Sequence, residues 1–120
     1  MTTATSSCPL NTEELLGRCL GKVELAQRVL ARFQKQLADD IPRLTHAVEK
    51  CEGAVIATVA HRIKGAAANV SAYGLRERAA ALESTARASD WDQIPIEVSL
   101  LSSERDEFEA VWQQLAWSRP

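Results

Sequence analysis

The sequence predicts an all-α protein, an antiparallel four-helix bundle with a short additional N-terminal helix. Apolar residues recur every three or four positions along nearly the whole chain. No segment shows the strict alternation of a half-buried strand. The periodic segments are also separated by short connections, which make successive helices antiparallel neighbours. A chain of 120 residues, 46% hydrophobic and 25% charged, fits one ordinary domain and is neither disordered nor comfortably two.

Residues 1–10, rich in Thr and Ser, read as a flexible tail, and the bundle is expected over 11–117. Asn11 with Glu14 three residues later makes a capping box for a first helix over roughly 12–20, with Gly21 to end it. A long stripe follows: Leu25, Val29, Phe33, Leu37, Ile41, Leu44, Val48 and Cys51. It runs through Pro42, so a kink or break is expected near Asp40–Pro42, with both pieces facing one core. Glu52–Gly53 reads as a helix end, and the next helix buries Ile56, Val59, Ile63 and Val70. Ser71 is placed to cap a fourth helix with Leu75, Ala79, Leu82 and Ala86 inward. Residues 88–95 connect to the last helix, where Pro95 suits a first turn and Val98, Leu101, Phe108, Trp112 and Leu115 form the core face.

Composition excludes several classes. With a net charge of −2, nothing in the whole-chain balance suggests nucleic acid or an anionic membrane, and 5% aromatic residues argue against a base-stacking platform. Cys8, Cys19 and Cys51 are an odd set without CxxC spacing, which fits a reducing compartment better than a disulfide framework or a zinc knuckle. The N-terminus lacks the features of a signal peptide, and no apolar run approaches the ~20 residues of a membrane span. A cytoplasmic location is the expectation.

The segment AHRIKGAAANV, residues 60–70, does not look chosen for stability alone. On a helical wheel, Val59, Ile63 and Val70 lie opposite His61, whereas Ala54, Ala57, Lys64, Gly65, Ala68 and Ala72 fall within roughly 60° of it. His61 therefore points away from the core, among small residues that let a large partner approach. Gly65 costs about 1 kcal/mol relative to alanine in a helix, and it sits where a Cβ would crowd a group attached to the ring. Lys64 can set an ammonium beside an anion on His61. These residues suit reversible phosphorylation of the imidazole, which must be neutral to attack phosphorus; Lys64 and Arg62 are expected to favour that neutral form.

The run AHRIKGAAANVSAYGLRERAAALE, residues 60–83, resembles the histidine-containing phosphotransfer (HPt) domains of multistep two-component signalling. It has the His, the Lys-Gly three and four residues on, the Ala68-Asn69 pair, and a leucine helix ending in Leu82-Glu83. The resemblance implies that His61 takes a phosphoryl group from a receiver-domain phosphoaspartate and passes it to another receiver aspartate, without kinase activity of this chain. Lys64 would stabilise the phosphate and Gly65 would provide clearance. Ala57, Arg62, Ala68 and Arg87 would meet the receiver. The resemblance further implies no cofactor on this chain, Mg²⁺ on the receiver, and a monomer. Many members carry glycine where this chain has Ser71, so the junction there is expected to differ.

Other readings remain open from the residues alone. The same small-residue face suits a helical module that binds a receiver or kinase without carrying phosphate. An autokinase dimerisation domain is disfavoured because the chain has no glycine-rich phosphate loop. His46 reads as an ordinary surface histidine, and no metal site is expected because His46 and His61 lack helical ligand spacing. Arg76 and Arg78 are as well explained by a solvated helix face as by docking.

Overall fold

In the computed structural model, which describes residues 9–115, five helices make up most of the described residues. They are α1 (Thr12–Arg18), α2 (Val23–Glu49), α3 (Gly53–Asn69), α4 (Tyr73–Arg87) and α5 (Ile94–Gln114), and the described residues contain no strand. The long helices pack in a ring, α2 on α3, α3 on α4, α4 on α5 and α5 back on α2, while α1 rests on α2. Residues 1–8 of the expected tail and the domain end at 117 lie outside the described residues. Leu10, assigned to the tail from sequence, is instead buried in the core.

The core residues expected on α3, α4 and α5 are where the periodicity places them. Ile56, Val59, Ile63, Val70, Leu75, Ala79, Leu82, Ala86, Val98, Leu101 and Phe108 are all buried, with Trp112 and Leu115 packed on the margin. On α2, Phe33, Leu37, Ile41 and Leu44 are buried as expected. Leu25, Val29 and Val48 are only half-buried and Cys51 is exposed, because Ala26, Leu30 and Ala47 take the innermost positions. Phe33 and Phe108 meet edge to face at 5.3 Å and close the ring between α2 and α5.

The break expected at Pro42 does not occur. α2 runs unbroken from Val23 to Glu49 with Pro42 inside it. Proline removes one helical hydrogen bond and crowds the carbonyl four residues back, but Ile41 and Leu44 on either side are held in the core. Asp40, only 2% exposed, adds a tether to α3: Arg62 donates to both its oxygens, at 2.5 and 3.4 Å.

Asn11 caps α1 through its side chain, accepting from the Glu14 N–H at 3.1 Å. The reciprocal half of the capping box is absent, because the Glu14 carboxylate is used elsewhere. It accepts hydrogen bonds from the Ser71 hydroxyl (2.7 Å) and the Tyr73 hydroxyl, which hold its pKa below the usual carboxylate value, Tyr73 most strongly. Ser71 therefore does not cap α4, whose N-cap is Ala72 without a side-chain bond. It stands in the left-handed region (φ 60°) and is fully buried, with its carbonyl accepting from the Asn11 N–H at 2.9 Å. Glycine would take that conformation more cheaply; serine instead ties the α3–α4 junction to α1.

Removing Arg62 leaves the Asp40 carboxylate buried with only the distant Arg43, at 3.9 Å. Arg62→Ala should lower unfolding free energy by about 2 to 3 kcal/mol, read by urea denaturation, and Arg62→Lys should recover part of the loss.

Candidate functional site

α3 is two-faced because its apolar positions are confined to one side. Ile56, Val59, Ile63 and Ala67 are buried, while Val55, Thr58, His61, Arg62, Gly65 and Asn69 form an exposed line. The His61 side chain, in the middle of α3, is 64% exposed. A Cβ built at Gly65 would meet nothing within 4 Å, so the missing side chain makes no room for any atom of this domain.

α3 and α4 are the most extensively packed pair, with alanines such as Ala57, Ala60, Ala79 and Ala86 buried between them and their neighbours. That packing brings Glu83 of α4 beneath His61. Glu83 is 8% exposed, and its carboxylate collects three groups. Lys64 Nζ lies 2.8 Å from Oε1, Arg87 Nη2 lies 2.8 Å from Oε2, and His61 Nδ1 lies 3.1 Å from Oε2. The bond to Lys64 first, and then that to Arg87, holds the Glu83 pKa down at about 2. The carboxylate is thus ionised at neutral pH and can only accept. It follows that Nδ1 carries the proton and donates it to Glu83. In the neutral ring Nε2 then holds the lone pair and is the nucleophilic nitrogen.

This arrangement alters several expectations. Lys64 lies beside His61, but its ammonium is engaged by Glu83 rather than waiting free. Arg62 turns to α2 and Asp40, away from the Glu83 cluster, because it is one residue and about 100° further round the helix than His61. The cations expected to keep the ring neutral are therefore each matched by a carboxylate. Ala57 is 6% exposed, so the expected contact with a partner is largely closed to it; it faces α4 instead of solvent. Ala68 is half-buried and Gly65 exposed. Arg87 belongs to the Glu83 cluster, which it reaches from one turn further along α4.

Arg76 lies over the Tyr73 ring at 5.2 Å, and neither it nor exposed Arg78 joins the Glu83 cluster. His46 is exposed in the last turn of α2, and the described residues contain no group of three or more His, Cys, Asp or Glu that could hold a metal ion. Cys19 is buried and Cys51 exposed, both free, and Cys8 lies outside the described residues. No helix among the described residues is long and apolar enough to cross a membrane.

Glu83 entered the sequence reading only as the end of the run that carries the resemblance, and was given no role there. Its further signal was a carboxylate directly following a core leucine, on the buried side of α4, where an ionisable group needs partners.

An exposed imidazole with one nitrogen tied to an ionised carboxylate and the other open to solvent defines a class of site that can carry a group on a ring nitrogen. The model of the Hpt domain family matches residues 28–116. The chain belongs to the Hpt domain family, whose members serve phosphotransfer in two-component relays. Searches of curated proteins and of solved structures find no match.

The sign of the Glu83 effect is testable. Its folded pKa is depressed from 4.5 to about 2, so its stabilising contribution is complete above 4.5 and fades as pH falls towards 2. Glu83→Gln should therefore be less stable than wild type near neutrality. The gap between the two, from urea melts, should close in acid.

Proposed function

We propose that His61 is the phosphoacceptor of a relay, taking a phosphoryl group from a receiver phosphoaspartate and giving it to a second receiver aspartate. The 3.1 Å contact of His61 Nδ1 with the Glu83 carboxylate, which leaves Nε2 as the free nitrogen, is the observation that carries this reading. Nε2 attacks phosphorus, the Nε2–P bond forms, the P–O bond to aspartate breaks, and the aspartate leaves as a carboxylate. The proton stays on Nδ1 throughout. The phosphorylated ring is then cationic, and its charge faces Glu83 across the Nδ1 hydrogen bond. In the second transfer the acceptor carboxylate attacks phosphorus, the Nε2–P bond breaks, and the ring returns to neutral.

Lys64 is close enough to swing one ammonium hydrogen bond from Glu83 to a phosphoryl oxygen, and Arg87 keeps the carboxylate ionised while it does so. Gly65, one turn after His61, supplies clearance for the phosphoryl group and for the receiver around it. The chain works as a monomer without a cofactor of its own, and Mg²⁺ belongs to the receiver. It takes its phosphoryl group from a phosphorylated donor rather than from a nucleotide.

Label should pass from a phosphorylated receiver domain to wild type and not to His61→Gln, with ATP alone giving none. Equal labelling of the variant would sink the proposal. Receiver binding without any acid-labile phosphohistidine would point instead to a module that docks but carries nothing.

Gly65→Leu separates fold from chemistry, since its side chain enters open space. It should fold at least as stably as wild type, gaining up to about 1 kcal/mol of helix propensity. Its transfer rate should nevertheless fall on the order of tenfold or more, as expected when reacting groups are held apart.

A further inference from the structure

Beside the histidine line, α2 and α3 leave an open groove of about 450 Å³. Leu25 and Val29 of α2 and Ala66 of α3 give it an apolar floor, with Arg28, Arg32 and Asn69 at its sides. A second cleft at the start of α2 shares Leu25 and Arg28 with it and adds Val23. Beyond that, Leu20 is 81% exposed in the left-handed region (φ 58°). The two clefts run together through Leu25 and Arg28, so apolar side chains and one guanidinium line a single open surface along the start of α2.

The charge around the clefts is predominantly positive, with Glu24 the exception. Over residues 22–36 four Lys or Arg stand against one Glu, whereas over 97–109 five Asp or Glu stand against one Arg. Most cations elsewhere in the domain are spoken for: Arg18, Arg62, Lys64 and Arg87 each pair with a carboxylate. Arg28 and Arg32 make no hydrogen bond or ion pair within the described residues, although Glu24 lies on the same helix. Ala66 and Asn69 follow His61 by five and eight residues, which is about 8 to 12 Å along α3. One docked domain about 30 Å across covers both the groove and the ring.

We infer that Arg28 and Arg32 select the partner of this domain: the receiver that serves His61 seats an apolar side chain in the groove and sets carboxylates against the two guanidiniums. This rests on the phosphorelay reading and specifies which receivers it admits. Two exposed, unpaired charges at the rim act mainly on encounter rate and on rejection of like-charged partners. Receivers with a basic docking face are excluded by the same groups.

The test uses the full chain with Arg28→Glu/Arg32→Glu, and a receiver domain from the same genome that exchanges phosphate with wild type. Transfer should fall on the order of tenfold to a hundredfold in kcat/KM, through KM rather than kcat. The wild-type rate should drop between about 0.05 and 0.5 M NaCl, whereas the variant's, now limited by repulsion, should not drop and should rise. A receiver with Lys in place of the carboxylates it presents to the groove should restore the rate. Labelling of His61 by a small phosphodonor such as phosphoramidate should be equal in both proteins, which reports on the phosphoacceptor separately from docking. Unchanged receiver transfer by the double variant overturns the inference and leaves the phosphoacceptor standing. So does a change in sedimentation alone, which would assign the groove to a second copy of this chain. Absence of labelling in wild type by either donor overturns the phosphorelay reading itself.

Discussion

The carboxylate of Glu83 is the point on which the functional face is organised. It is buried and ionised, and such a group has to be fully partnered to be tolerated between helices. Lys64 and Arg87 meet that need from two helices, and the imidazole of His61 completes it. The ring orientation is thus a by-product of solving a desolvation problem inside the α3–α4 interface. The small residues of both helices serve the same end. Alanine at the contact lets the axes come close enough for a side chain of α4 to reach a histidine on the open side of α3.

A second organising contact lies at the other end of α3. The short helix α1 is too brief to be stable alone, and it holds its place through Leu15, Cys19 and the hydroxyl contacts of Glu14 with Ser71 and Tyr73. The left-handed serine that departs from the family's usual glycine is compensated in this way. The departure offsets backbone strain with a side-chain lock at the C-terminal end of α3, ten residues beyond His61.

The bundle was legible because it is written in local periodicity, and Ile56, Ile63, Leu75, Leu82, Leu101 and Phe108 each fall where a three-and-four spacing puts them. His61, Lys64 and Gly65 were legible for the complementary reason, as residues that break the apolar pattern on one side. What the pattern concealed are contacts between helices. Glu83 is twenty-two residues from His61, and no spacing rule within one helix links them. Arg62 was misplaced because a wheel gives its angle but not the buried Asp40 on α2 that claims it. Ala57 was misplaced by the same wheel, which cannot tell how closely α4 approaches. Pro42 misled because propensity was weighed without the core that overrides it.

The unbroken course of α2 through Pro42 has a dynamic consequence. Proline has no amide proton, so the carbonyl of Ala38, on the exposed side of the helix, has no partner four residues on and is left to solvent. The ladder of backbone bonds is thinned at one rung, and the two halves of α2 are joined there by packing and the Asp40–Arg62 tether. Each half is anchored by its own core residues, Ala26, Leu30, Phe33 and Leu37 before the proline and Ile41, Leu44 and Ala47 after it. The two can therefore open as separate units, and amide hydrogen exchange should show a seam between them at residues 38–42.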